Sequence, residues 1–337
     1  MAVRIAINGF GRIGRAFMRA SHANKDIEVV AVNDLTSPEN LAYLLKYDTV
    51  YGRAPFNISH DEKNLIVNGK QIAFVQEKEL AKLPWKAMEV DIVVESTGVF
   101  TDPAKARGHI DAGAKRVVIT APAKGDGAET VLIGANEEKL TQCDISSNAS
   151  CTTNAASPLI GILDEAIGIE RAILSTTHGY TASQALVDAP KEKDWREGRA
   201  AAQNIVPTST GAAKATTLAH PQLAGKFDGI SLRVPVIAGS IVDVTFVAKR
   251  PTSAEEVNEA MKKAAASDRW KRVFAVTEEP LVSSDIVGSP YGSIADLAMT
   301  RVVDGTLVKV LAWYDNEMGY AHTLVEHVAE VSKAMRQ

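Results

Sequence analysis

Apolar positions along the chain follow two different rhythms. In the first 120 residues, short β-branched runs recur at Val3-Arg4-Ile5-Ala6-Ile7, Ile27-Glu28-Val29-Val30-Ala31-Val32, Asp91-Ile92-Val93-Val94-Glu95 and Arg116-Val117-Val118-Ile119-Thr120. Runs this short and this continuously apolar predict strands buried on both faces of a mostly parallel sheet. Helices are predicted after the first run, over Leu41 to Leu45, and from Ala104 to Ala112. Asn68-Gly69, between Leu65-Ile66-Val67 and Gln71-Ile72-Ala73-Phe74-Val75, predicts a hairpin.

Later segments alternate instead. Ser240 to Val247 reads as a half-covered antiparallel strand, and Leu307 to Tyr314 as another. Arg171 to Thr177 is a further strand, and Ser253 with Glu256 predicts a capping box for a helix running to Ala266. Leu324, Val325, Val328 and Val331 form the apolar stripe of a last helix.

Composition narrows the class. A chain of 337 residues is more than one core normally holds, so two domains are expected. The net charge of −4 gives no general attraction for nucleic acid or anionic membrane. No apolar run approaches the roughly 20 residues that span a bilayer. The start, Met1-Ala2-Val3-Arg4, does not read as a signal peptide. With two cysteines, Cys143 and Cys151, neither a disulfide framework nor a multi-cysteine metal site is expected, and a reducing, cytoplasmic setting is.

Two stretches carry candidate chemistry. Gly9, Gly11 and Gly14 spell G-x-G-x-x-G between the first strand and its helix. The first glycine permits a tight turn, the second lets backbone approach a pyrophosphate, and the third lets helix pack on strand. The second strand ends at Asp34, 20 residues beyond Gly14, where a carboxylate bonds ribose hydroxyls and repels a 2′-phosphate, favouring NAD. Ser96-Thr97-Gly98 and Thr120-Ala121-Pro122 follow strands of the same sheet and are candidate cofactor loops. The fold class is therefore α/β: a Rossmann-type doubly wound parallel sheet, followed by an α+β domain with a mainly antiparallel sheet.

The other stretch is Ser147-Asn148-Ala149-Ser150-Cys151-Thr152-Thr153-Asn154. Leu159, Ile160, Leu163, Ala166 and Ile167 follow at helical spacing, so a helix is predicted to start near Cys151. A thiol there faces unpaired N–H groups and the positive end of the helix dipole, which favour thiolate. A free cysteine is most often a small buried hydrophobe, and Cys143 takes that reading. His178 closes a strand and opens a loop, a position suited to acid–base work, whereas His22, His60, His109, His220, His322 and His327 read as surface or packing residues. Gly179 to Pro207 is long and aperiodic, the kind of loop that is functional or sits at an interface. Thr208 to Lys214 reads as a hydroxyl-rich helix N-terminus able to hold an anion. Arg233, inside an apolar strand, requires an anionic partner from the protein or from a ligand.

With those residues assembled, the sequence resembles the phosphorylating glyceraldehyde-3-phosphate dehydrogenases along essentially its whole length. The likeness rests on Ile7 to Arg15, Ser147 to Asn154, Trp195 with Arg199 to Ala202, Pro207 to Lys214, and Trp313-Tyr314-Asp315-Asn316-Glu317. The resemblance implies that Cys151 is the nucleophile and His178 its base. It implies that Arg12, Ile13, Asp34, Lys78, Thr120 and Asn316 contact NAD, and that Ser150, Thr152, Thr181, Thr210, Gly211 and Arg233 bind the substrate and inorganic phosphates. It also implies a homotetramer, with Gly179 to Pro207 packed between subunits, and no resident metal. The expected domains are 1–150 with 316–337 for NAD and 151–315 for catalysis.

Several positions depart from the family's common pattern: Ala155 for a second cysteine, Lys78 for arginine, Met318 for tryptophan, and Pro235 to Gly239 for a Pro-Thr-Pro-Asn stretch. Leu35 and Pro190 resemble NAD-using members, while Ala189 resembles dual-specificity members and leaves NADP use open. The expected reaction is oxidation of D-glyceraldehyde 3-phosphate to 1,3-bisphosphoglycerate through a cysteine thioester. The alternatives are an erythrose-4-phosphate dehydrogenase that ends in hydrolysis, and a non-catalytic NAD- or RNA-binding homologue.

Overall fold

The computed structural model describes residues 2–337, which form two compact units. The first comprises 2–131, 136–149 and 324–337; the second comprises 132–135 and 150–323.

The first unit is built on a nine-stranded sheet in the order Glu129–Thr130, Ile145–Ser147, Arg116–Ile119, Ile92–Glu95, Val3–Asn8, Ile27–Asn33, Lys70–Val75, Asn64–Val67 and Ile58–His60. The first seven run parallel and the last two are added antiparallel. Asn68 and Gly69 both take positive φ, which produces the tight hairpin turn that Asn-Gly signals. Strand order reverses around Val3–Asn8: the next strand in sequence lies on one side of it and Ile92–Glu95 on the other. That reversal opens a crevice at the carboxyl ends of the strands, where such sheets take ligands. Ile5, Ile7, Phe17 and Val94 form the core together with Leu324 and Val328 from the last helix.

The second unit is a seven-stranded sheet in the order Val206–Ser209, Phe227–Val234, Ile169–Gly179, Ser240–Ala248, Leu307–Tyr314, Ser293–Val303 and Phe274–Thr277. Four of its six pairings are antiparallel. The helices Cys151–Ala166, Ala212–Ala219 and Ala254–Ala265 bury their apolar sides, with Leu159, Leu163, Ala213, Val257 and Met261 meeting Val244 and Val310 of the sheet.

Three local expectations are corrected. The helix expected over Ala104 to Ala112 is two short pieces, Pro103–Ala106 and Gly108–Asp111. Gly108, a poor helix former, sits at the junction, and a Cβ there would meet Leu80 at 2.9 Å. Thr208 and Ser209 belong to a strand, where pairing with Phe227–Val234 satisfies their backbone, so the following helix starts only at Ala212. Ser253 caps its helix, but the Glu256 side chain turns to Arg250 and Thr252 instead of closing a capping box. Of the histidines read as surface or packing residues, His109, His220 and His327 are the packing kind, each buried and hydrogen-bonded.

Candidate active site

The helix Cys151–Ala166 begins at the thiol itself, because Ser150 is its N-cap and accepts the N–H of Thr153 at 3.1 Å. Ala149, just before it, has φ of +52°, a left-handed residue that turns the chain sharply into the helix. His178 closes the strand Ile169–Gly179, and its Nε2 lies 3.3 Å from Cys151 Sγ. The backbone N–H groups of Thr152 and Cys151 also face the sulfur.

Arg233 stands beside His178 in the neighbouring parallel strand, at the register-matched position. Its Nη1 is 2.6 Å from His178 Nδ1 and 3.4 Å from the carbonyl oxygen of Gly179. Among the described residues no carboxylate pairs with it, and its Nε is buried without a partner. A guanidinium with unspent donors in a partly covered site is suited to an arriving anion.

Burial pushes the Cys151 thiol up, and the charge of Arg233 and the N–H groups of Thr152 and Cys151 offset this only in part. The expected lowering of the thiol by the helix N-terminus is therefore outweighed by desolvation. Burial, and then the charge of Arg233, lower His178 to about 3. At neutral pH the site holds a thiol beside a neutral imidazole, so the ring is in the form that accepts a proton.

Tyr314 had no assigned role in the sequence, yet its hydroxyl ties the site together. It shares hydrogen bonds with Thr152 Oγ1 at 2.9 Å and Thr176 Oγ1 at 2.7 Å, and its ring stands edge-on to His178 at 5.9 Å. The Thr152 hydroxyl thus contacts both Tyr314 and the Cys151 sulfur. Ser240 was also unassigned; its hydroxyl accepts the N–H of Gly179 and donates to Asn316 Oδ1 at 3.0 Å, which fixes the orientation of the Asn316 amide. Both residues were hidden because they lie in strands whose alternation explains them fully. Thr181 bonds Ser183, and the Thr210 hydroxyl accepts the N–H of Ala212; neither is hydrogen-bonded to the Cys151–His178–Arg233 group. Gly211 is the N-cap of Ala212–Ala219, with open space around it.

The first unit has its own cavity of about 350 Å³, lined among others by Gly9, Gly11, Asp34, Leu35, Lys78 and Thr97. Gly9 has φ of +90°, and a Cβ there would come within 2.6 Å of Thr97 N. Gly11 has open space around its Cβ position, whereas at Gly14 a Cβ would lie 2.3 Å from Gly9 O. The three glycines thus turn, leave room and pack, in that order. Asp34 accepts the N–H groups of Phe10 and Thr36, one on each oxygen, which aims its carboxylate. Arg12 and Ile13 open the helix Arg12–Ser21, whose N-terminus suits a diphosphate. The Arg12 side chain itself is taken up by Asp48 and the Tyr51 ring. Thr120 lies just past the strand Arg116–Ile119, its N–H bonded to Glu95 O. A room-sized space at Gly11, a glycine turn and an aimed carboxylate fit a dinucleotide.

Two family models match the chain: "Glyceraldehyde 3-phosphate dehydrogenase, NAD binding domain" over residues 3–103, and "Glyceraldehyde 3-phosphate dehydrogenase, C-terminal domain" over 150–316. The glyceraldehyde-3-phosphate dehydrogenase of Mycobacterium avium is 50% identical over 99% of this chain and 100% of its own. Glyceraldehyde-3-phosphate dehydrogenase 1 of Bacillus subtilis is 48% identical over 99% of both, and the Geobacillus stearothermophilus enzyme 48% over 98% and 99%. On its fold, its thiol–imidazole pair and this likeness along both halves, the chain belongs to the glyceraldehyde-3-phosphate dehydrogenase family.

Proposed function

We infer that this protein is an NAD-dependent oxidoreductase that converts D-glyceraldehyde 3-phosphate and inorganic phosphate to 1,3-bisphosphoglycerate, the reaction of glycolysis and its reversal. The observation that carries the reading is the 3.3 Å approach of Cys151 Sγ to His178 Nε2 beside an arginine that, among the described residues, has no carboxylate partner and keeps a buried, unpartnered Nε. Cys151 Sγ attacks the aldehyde carbon while its proton passes to His178 Nε2. The carbonyl pair becomes an alkoxide faced by the N–H of Cys151 and by the imidazolium. Gly9, Gly11 and Asp34 would hold NAD and the Asn316 amide would serve its nicotinamide; the cofactor would supply the hydride acceptor that oxidation of this adduct to a thioester needs. A phosphate oxygen, oriented by Arg233 and the hydroxyls of Ser150, Thr181 and Thr210, then attacks the thioester carbon. The C–S bond breaks, and the thiolate recovers its proton from His178.

The 1–150 and 316–337 segments serve NAD in this scheme, and 151–315 serves catalysis. A homotetramer is supported by apolar side chains that a lone chain leaves in water. Leu186, Val187 and Trp195 of the long loop are 84%, 70% and 83% exposed, and Ile173, Ile230 and Leu307 stand out from the sheet. Light scattering should return the mass of four chains of 36.0 kDa; a monomer refutes the assembly. Cys143 and Cys151 are both free thiols, which fits a reducing, cytoplasmic setting. Among the described residues no helix is long and apolar enough to cross a membrane.

The test follows NADH absorbance with NAD and glyceraldehyde 3-phosphate, with and without inorganic phosphate. Steady turnover that needs phosphate, preceded without it by a burst of about one equivalent per site, is expected. Steady turnover without phosphate would favour the hydrolytic erythrose-4-phosphate type, and none at all in either NAD or NADP would overturn the enzyme reading. Cys151→Ser should nearly abolish turnover while leaving NAD binding intact.

A further inference from the structure

One buried carboxylate of the first unit has no part in the chemistry above. Glu95 ends the strand Ile92–Glu95, pairs in register with Asn8, and is 2% exposed. Four donors converge on its two oxygens. Oε1 receives the N–H of Thr97 at 2.9 Å and the Thr97 hydroxyl; Oε2 receives Asn8 Nδ2 at 2.5 Å and His109 Nε2 at 3.0 Å. The His109 tautomer is fixed from behind. Trp85 Nε1, which can only donate, lies 3.0 Å from His109 Nδ1, so the ring proton sits on Nε2 and points at Glu95.

The network continues forward to the cavity. Asn8 Oδ1 accepts Asn33 Nδ2 at 2.7 Å, and the Asn33 amide pairs with both the N–H and the carbonyl of Glu77, at 2.9 Å each. Asn8, Asn33, Glu77 and Thr97 all line the 350 Å³ cavity, next to Asp34 and Lys78. Three separate loops of that cavity, after Asn33, around Glu77 and after Glu95, are thus hung on one side chain that does not itself reach the ligand space.

We propose that Glu95, held by His109, is a positioning residue that presets the three loops of the dinucleotide cavity and thereby sets cofactor affinity. The inference rests on the reading of that cavity as the NAD site. A buried anion bonded by four donors is rigid and hard to replace. A glutamine of the same shape offers one acceptor oxygen to four donors and adds two donors of its own. Loops that must be ordered at binding lower affinity, whereas loops ordered beforehand do not.

The test compares wild type, Glu95→Gln and Asn33→Ala as full-length protein, by steady-state kinetics, thermal melting and calorimetric titration with NAD and with ADP-ribose. Glu95→Gln should raise the KM for NAD and the Kd for ADP-ribose about tenfold, the effect of one charge-assisted hydrogen bond. At saturating NAD, kcat and the KM for the aldehyde should stay within about twofold, since Glu95 touches neither Cys151 nor His178. Asn33→Ala removes the bond to Asn8 and both bonds to Glu77 while leaving the four donors on Glu95 in place, and it carries the test if Glu95→Gln does not fold. Melting temperatures that fall while NAD and ADP-ribose affinities hold would make the network structural only and overturn the proposal. A wild type that binds neither NAD nor ADP-ribose would instead overturn the reading of the cavity.

Discussion

The Nδ1 atom of His178 lies 2.6 Å from the Gly179 carbonyl oxygen and also 2.6 Å from Nη1 of Arg233. A single ring nitrogen cannot serve both. To take the thiol proton at Nε2, the ring must carry its own proton on Nδ1, donated to Gly179 O; the Arg233 donor then points at a donor. When the guanidinium turns to a phosphate anion, that opposition ends and the base form of the ring is favoured. In the proposed reaction, Arg233 would thus couple substrate phosphate to the proton acceptor.

Removing that cation should show the coupling. In Arg233→Gln the charge that helps hold His178 down is gone, so the imidazole should titrate above about 3. NMR of selectively labelled histidine measures it, and an unmoved titration would leave burial as the sole cause. The same variant should raise the KM for the phosphorylated aldehyde.

His178→Asn should slow alkylation of Cys151 by iodoacetamide near neutral pH, because the thiol is raised by burial and has lost its proton acceptor. The rate is read in a Cys143→Ser background so that one thiol is counted. Turnover should fall about 10²–10⁴-fold, the usual worth of a positioned base. Unchanged alkylation would remove His178 from thiol activation.

The two glycines flanking the start of the first helix should separate stability from binding. Gly14→Ala puts a methyl 2.3 Å from the Gly9 carbonyl oxygen and should cost about 1–3 kcal/mol in stability, because backbone must move. Gly11→Ala meets no protein atom within 4 Å. Its melting temperature should hold while the KM for NAD rises, since the added methyl enters the space left for a pyrophosphate. Equal losses of stability in both would contradict this division.

Acid should destabilise the fold through a buried histidine. His327 is bonded to Ser146 Oγ at 2.8 Å and Asn148 Oδ1 at 3.2 Å, and burial lowers it to about 4. Between its ordinary 6.5 and about 4, the unfolded chain binds a proton that the folded chain does not. Stability therefore falls as pH drops through this window, by about 3 kcal/mol in all, and is unaffected above it. Thermal midpoints from pH 7 to pH 4.5 should fall less steeply in His327→Asn; an identical slope would clear this residue.

Much of the molecule was legible because its signals are local. The glycine spacing, the Asn68-Gly69 turn and the apolar stripe after Cys151 each act within one or two turns of chain, through backbone sterics and a single buried face. Where local signals compete, as at Gly108 or Thr208, propensity gave way to packing and strand pairing.

By itself, then, the sequence determined the strands and helices, the cradle at Gly9 to Gly14 and a thiol at the head of a helix. Only the tertiary structure decided what surrounds them. It set Arg233 against His178 across parallel strands, joined Tyr314 to Thr152 and Thr176, and gathered Trp85, His109, Asn8 and Asn33 around Glu95. These partners are separated by tens of residues or more along the chain, and desolvation depends on every side chain that closes over a group. Neither long-range register nor burial is written in any short stretch, so the protonation state of the site emerges only when the chain has folded.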